Sequence, residues 1–316
     1  VGHESLSWED GGLSSLAVAP SGAAGAGREG EAVRRLLTVH AHPDDESSKG
    51  AGTLARYAAE GAQVTVVSCT GGESGSVLNE GFEPKHRAER DMTGLRRVEM
   101  EQARAALGVE HVWLGYVDSG LPDEGEPLRE LSFATLPLDI TGRPLVRLIR
   151  RLRPHVVVTY DETGGYPHPD HIRCHEVTMW AVEHAAAGLP ELGDPWEVQK
   201  VYFDRSMSGA RLRALLSAVE AVTPDDDRLP FMREWAERLG ERGETMTTRV
   251  DVGPYLPARD GALRAHASQV EPDSRFFFWP HELLLGTWPT DDYELARSRA
   301  THAVPEDDLF AGVEEE

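Results

Sequence analysis

The sequence predicts an α/β protein with a Rossmann-like, doubly wound and mostly parallel sheet. Three observations predict it. Short apolar or β-branched runs alternate with longer helical stretches; the helical stretches stop at glycine or proline; and polar loops follow the strand-like runs. Strand–helix alternation means βαβ units, and right-handed crossovers then restrict the topology to a doubly wound sheet with helices on both faces.

The elements follow in order. Residues 35–41 carry Leu36-Leu37-Thr38-Val39, a run suited to a buried strand. A helix is predicted over 50–60, stopped by Gly61, and a strand over 63–70 around Val64-Thr65-Val66-Val67. The next helix spans 90–107, with Gly108 placed as its C-terminal cap. A short strand over 111–114, a helix over 138–152 ended by Pro154, a strand over 155–160, a helix over 171–187 and a strand over 200–203 complete the alternation. Beyond about residue 205 the pattern loosens into further α/β elements: a solvated turn at Asp225-Asp226-Asp227, a strand over 247–252 and an amphipathic helix over 258–269. Residues 1–30, rich in Gly, Ala and Ser, read as a flexible leader, and residues 305–316 as an acidic tail.

Composition narrows the partners. Of 316 residues, 32 are Lys or Arg and 54 are Asp or Glu, so the formal net charge is -22. That field repels phosphate backbones and anionic lipid, which argues against nucleic acid and membrane as partners. No apolar run approaches the ~20 residues of a transmembrane span. The apolar stretch at 16–19 is too short for a signal peptide, so a cytoplasmic location is expected. Cys69 and Cys174 make no disulfide framework and are expected as reduced thiols.

In a doubly wound sheet, ligands bind at the carboxyl ends of the strands. The loop after the first strand reads His40-Ala41-His42-Pro43-Asp44-Asp45-Glu46; the loop after the fourth contains Tyr166-Pro167-His168-Pro169-Asp170-His171. A third polar loop, Thr70-Gly71-Gly72-Glu73, ends the second strand. These loops converge if the first strand lies between the second and the fourth, which predicts a sheet order beginning 3-2-1-4. Imidazoles and carboxylates are the ligand set of a catalytic zinc with an open position. Of two adjacent aspartates, one can bind metal while its neighbour holds a water, as a general base must.

These residues resemble the LmbE-like de-N-acylase family, which includes glucosaminyl-phosphatidylinositol and mycothiol-pathway deacylases. The blocks at 40–50 (HAHPDDESSKG), 69–75 (CTGGESG), 113–121 (WLGYVDSGL), 160–175 (YDETGGYPHPDHIRCH) and 294–299 (ELARSR) are most similar to its amidase branch, which acts on mycothiol S-conjugates. The resemblance implies one LmbE-like catalytic domain over 31–304, in which 205–304 completes the substrate pocket. It implies one zinc per chain, with iron(II) able to take its place, held by His42, Asp45 and His171. It implies Asp44 as general base and His168 as the imidazole that stabilises the oxyanion, in protonated form, or protonates the departing amine. Tyr166 would polarise the amide carbonyl, and Lys49 would contact the conjugate. Glu73, Arg96 and Asp118 would hold the glucosaminyl-inositol part of a small pseudo-disaccharide thiol conjugate.

Other residues have plainer roles. His40 and His175 are expected to be structural, Cys174 buried, and His266 a satisfied, partly buried histidine. Asp170 is expected to orient a neighbouring histidine from behind the ligands. Gly71-Gly72 has no following lysine in phosphate-loop spacing. The reaction implied is amide hydrolysis of a mycothiol S-conjugate, releasing an N-acetylcysteine S-conjugate and glucosaminyl-inositol. The nearest alternatives are deacetylation of N-acetylglucosaminyl-inositol and an amidase dedicated to one mycothiol-linked intermediate. A sugar-binding module without catalysis would have lost a ligand or Asp44, and neither is lost.

Overall fold

The computed structural model describes residues 33–123, 125–240, 245–301 and 303–314. The leader expected over 1–30 lies outside the described residues. The first strand, β1 (Arg35–His40), is followed by a single turn, α1 (Asp45–Ser48), and by α2 (Ala51–Ala59). The chain continues through β2 (Gln63–Thr70), α3 (Lys85–Arg90), α4 (Met92–Leu107), β3 (Glu110–Tyr116), α5 (Leu138–Leu152), β4 (Val156–Thr159), α6 (Pro169–Ala186) and β5 (Lys200–Asp204). Gly108 caps α4 in the left-handed conformation, as its position in the sequence predicts.

The sheet order is β3-β2-β1-β4-β5, completed by β7 (Thr290–Ser298) and β6 (Thr248–Asp251). The first five strands are parallel, whereas β7 runs antiparallel to both β5 and β6. The expected beginning, 3-2-1-4, is therefore the observed one. In β1, Val39 pairs with Val67 of β2 and Leu37 with Val157 of β4. The loops leaving β1 and β4 thus emerge side by side.

Both faces of β1 are buried, which explains a continuous apolar run where a one-sided strand would alternate. Leu36, with Val64, Val66, Val156 and Val158, packs on one face under Leu54, Tyr57, Met100 and Ala262. Leu37 and Val39, with Val67, Cys69 and Val157, pack on the other under Leu145, Ile149, Val177 and Ala181. A separate cluster joins α7 (Gly209–Val222), α8 (Leu229–Leu239) and α10 (His281–Thr287) through Leu212, Leu215, Met232, Trp279 and Leu284. These three helices and β7 are the elements that the loosening pattern beyond residue 205 does not reveal. The amphipathic helix expected over 258–269 is α9 (Leu256–Ala265), packed on α4 and α2. The acidic end is not all surface: Leu309 and Phe310 are buried in the core beside Tyr57. Among the described residues no helix is long and apolar enough to cross a membrane.

One buried cation fixes the helix that carries the second polar loop. The Arg150 guanidinium, only 5% exposed, donates to the carbonyls of His184, Ala185, Gly188, Leu189 and Gly193 at 2.6–3.1 Å. These are the orphan acceptors at the carboxyl end of α6 and in the turn beyond it. Only a planar guanidinium presents five donors in that arrangement. Arg150→Met, which strips the donors and leaves buried carbonyls unsatisfied, is expected to cost about 3 kcal/mol in denaturant unfolding. Arg150→Lys should recover less than half of that loss.

Candidate metal-dependent hydrolytic site

The site is built where β1 and β4 end. After β1, Pro43 and Asp44 turn the chain sharply, and Asp44 adopts a positive φ of 110° before the single turn of α1. Non-glycine residues rarely occupy that region, and such strain collects at functional sites. Two contacts hold it. The Asp44 N–H donates to Glu46 Oε2 at 2.9 Å, and Arg96 Nη2 donates to Asp44 Oδ2 at 2.7 Å. Arg96 also donates to the carbonyls of Pro43 and Gly72. Gly72, at φ +66°, is required because a Cβ there would run into the Arg96 guanidinium.

After β4, His168 caps α6 and Pro169 opens it, which sets Asp170 and His171 in the first turn. His171 is fully buried; its Nδ1 lies 3.0 Å from the Gly164 carbonyl, which fixes Nδ1 as the protonated nitrogen. Nε2 is thereby left as an acceptor, and it is buried without a hydrogen-bond partner.

Three ligand-type atoms then face one point. Asp45 Oδ2 lies 3.5 Å from His42 Nδ1 and 3.4 Å from His171 Nε2. Tetrahedral coordination at ~2.1 Å has ligand–ligand edges of about 3.4 Å, so the spacing suits a small divalent ion. All three side chains are buried. His42 Nε2, on the far side of the ring, lies 3.3 Å from Asp170 Oδ2 and 3.7 Å from Asp118 Oδ1. Asp170 thus stands behind His42, on the side of the ring away from Asp45. A second group of three, His42, His168 and Asp170, also clusters closely enough for a metal.

Charge reinforces the fit. Burial alone would lower the His42 imidazole, but Asp118, Asp170 and Asp45 together hold it well above its ordinary value. The same surplus of negative charge favours a metal cation. Burial works against the charged form of Asp45, yet His171 and Lys49 keep its carboxyl well below the usual range. Burial raises the Asp44 carboxyl, with the Arg96 charge opposing it.

His168 differs from expectation. Burial, together with His42 and His171, brings its pKa down to about 4, so it is neutral at pH 7 rather than protonated. The Asp170 N–H donates to its Nδ1 at 3.1 Å, which leaves the proton on Nε2. Tyr166, 43% exposed, stands at the rim with its ring centroid 4.5 Å from that of His171.

The residues expected to hold substrate are engaged with the protein. Lys49 Nζ donates to Asp45 Oδ1 at 2.6 Å. Glu73 Oε1 accepts from the Asp118 N–H at 2.9 Å, and the Asp118 carboxylate accepts from Ser74 and Gly120 N–H groups. Arg96 is buried against Asp44, while the neighbouring Arg97 is exposed and lies over Trp113. The plainer roles hold for His40, which bonds Thr38, and for His175, which bonds the Tyr160 carbonyl at 2.9 Å. Cys174 is buried 3.8 Å from Cys69, both as free thiols. His266 is more than a partly buried histidine: it is wholly buried and bonds Glu46 Oε1 at 2.8 Å. Glu46 thereby ties Asp44 to α9. Glu46 stands within the polar motif itself, but nothing local marks His266 as its partner.

Comparison with known proteins adds the lineage. A family model described as PIG-L, GlcNAc-PI de-N-acetylase, matches residues 37–182. The chain is 46% identical over 286 residues to the mycothiol S-conjugate amidase of Streptomyces coelicolor, covering 88% of this chain and 97% of that one. It is 42% identical over 295 residues to the 1D-myo-inositol 2-acetamido-2-deoxy-alpha-D-glucopyranoside deacetylase of Streptomyces avermitilis, covering 89% and 97% respectively. Among solved structures, N,N'-diacetylchitobiose deacetylase from Pyrococcus horikoshii shares the fold with a TM-score of 0.55, at 20% identity over 83% of each chain. With paired polar loops at the ends of β1 and β4 and relatives matched over nearly their whole length, this chain belongs to the PIG-L, or LmbE-like, family of de-N-acylating amide hydrolases.

Proposed function

We propose that this protein hydrolyses the amide bond of mycothiol S-conjugates, releasing an N-acetylcysteine S-conjugate and glucosaminyl-inositol, with zinc held by His42, Asp45 and His171. The observation that carries the choice of substrate is a cavity of about 460 Å³ that opens past Lys49 and Tyr166. It is far larger than an acetyl methyl needs, and it suits an S-linked group.

The donor set, two imidazoles and one carboxylate, fits zinc or iron(II) with an open position. When bound, such an ion supplies Lewis acidity, polarising a carbonyl and acidifying water. Asp44, held by Arg96 and raised by burial, takes the proton from the attacking water and passes it to the departing nitrogen. His168, neutral with its proton on Nε2, donates that N–H to the carbonyl oxygen as negative charge develops there. Tyr166, a phenol protonated at neutral pH, offers a second donor at the rim. Lys49 acts through Asp45, neutralising the oxygen that does not face the imidazoles.

The deciding experiment compares a mycothiol bimane-type conjugate with N-acetylglucosaminyl-inositol on metal-loaded protein. Conjugate cleavage should dominate in kcat/KM; faster acetate release would assign the protein to the deacetylases instead. Asp44→Asn should lower kcat by about 10³-fold while metal content by elemental analysis stays near one per chain. His171→Ala should instead lose the metal, and dialysis against EDTA should abolish activity until zinc is restored.

A further inference from the structure

The 460 Å³ cavity has a wall that neither the hydrolytic residues nor the amide require. Its inner end is Lys49 and Tyr166, beside the hydrolytic cluster, and its outer wall is Met207, Trp235, Phe276 and Arg275. Trp235 and Phe276 are partly exposed and Met207 is 37% exposed, so apolar surface is turned towards the space rather than packed away. Trp235 comes from α8, and Phe276 and Arg275 from the turn before α10. This apolar wall is therefore built by elements outside the parallel sheet.

Arg275 is the unusual member. Its guanidinium carbon lies 5.4 Å from the Trp235 ring centroid and 5.6 Å from that of Phe276, an orientation typical of cation–π contact. In a chain with 54 carboxylate side chains, no carboxylate among the described residues pairs with it. The other cations lining the cavity are occupied: Arg205 by Asp161 and Glu294, and Lys49 by Asp45. A guanidinium stacked on aromatic rings keeps its donor edge free for an anion.

We infer that this cavity selects S-linked groups that combine an aromatic ring with an anionic substituent, the ring packing on Trp235 and Phe276 and the anion pairing with Arg275. The inference rests on the proposed amidase activity only for the identity of the scissile bond. The recognition itself is a binding property of the cavity.

The test uses calorimetry on the metal-containing protein with two product analogues, S-benzyl-N-acetylcysteine and S-(4-carboxybenzyl)-N-acetylcysteine. The wild-type protein should bind the carboxylated ligand about tenfold more tightly, the worth of one partly exposed charge-assisted pair. Arg275→Gln should bring the ratio close to one, and Arg275→Lys should restore part of it. Equal affinities in the wild-type protein, a ratio that survives Arg275→Gln, or no binding of either ligand would each overturn the inference. Hydrolysis of the corresponding mycothiol conjugates is measured in parallel. Arg275-dependent discrimination without cleavage would defeat the amidase reading alone, and cleavage without discrimination would defeat this inference alone.

Discussion

The arrangement depends on the burial of one carboxylate. Asp45 is 4% exposed, and a buried carboxylate that is not compensated would take up a proton instead of keeping its charge. Its two oxygens are served from different directions. Oδ1 accepts from Lys49 one helical turn on; Oδ2 accepts from the His42 N–H at 2.9 Å and faces the His42 and His171 rings. Satisfying that one group closes the turn after β1, fixes the direction in which α1 leaves, and docks the first turn of α6. With Asp45 turned inwards, its neighbour must turn outwards. The positive φ of Asp44, with Glu46 on its amide and Arg96 on its carboxylate, is how the chain does so. Two consecutive aspartates thereby acquire opposite environments.

The sheet supplies the rest of the convergence. Because β1 pairs with β2 on one side and β4 on the other, three polar loops open on one crevice. That geometry is legible in the sequence, since β1, β2 and β4 are buried on both faces and must be written in apolar or β-branched residues. The antiparallel edge is harder to read. In β7, Asp291 and Asp292 stand where a strand pattern would have apolar residues, and they are buried because Thr53, Thr290 and Trp288 donate to them. No local pattern announces such partners. In α7, Leu212, Leu215 and Val219 do show helical spacing, but they pack on α8 and α10 rather than on the sheet, so the spacing alone cannot say what the helix builds.

The same division runs through the site. His42, Asp44, Asp45, His168 and His171 stand in two short motifs, and strand order alone brings those motifs together. What the motifs do not contain is the set of partners that decides protonation. The Gly164 carbonyl that orients His171 is backbone, and His266 reaches Glu46 across 220 positions. The lowered pKa of His168 follows from burial and two neighbouring imidazoles, and its tautomer from a backbone N–H, none of which changes the sequence pattern. Glu73, Arg96 and Asp118 are engaged within the protein itself, Glu73 with the Asp118 N–H and Arg96 with Asp44 and the Gly72 carbonyl, and these partners too are set by the fold rather than by the motifs.

The packing of the last described residues bears on how the chain is assembled. Lys200, fully buried in β5, donates to Glu306 at 2.8 Å, and Tyr202 and Thr248 donate to the same carboxylate. Leu309 and Phe310 then cover Tyr57, some 250 positions earlier. During synthesis the five parallel strands are complete once residue 204 has left the ribosome, but the Lys200 ammonium still has no counter-charge. The parallel half can collapse early, while the edge formed by β5, β7 and β6 must wait for a carboxylate made about a hundred residues later. Closure of the sheet edge thus depends on a carboxylate far along the chain from β5, and the hydrolytic crevice likewise draws on the later residues, through His266 on Glu46.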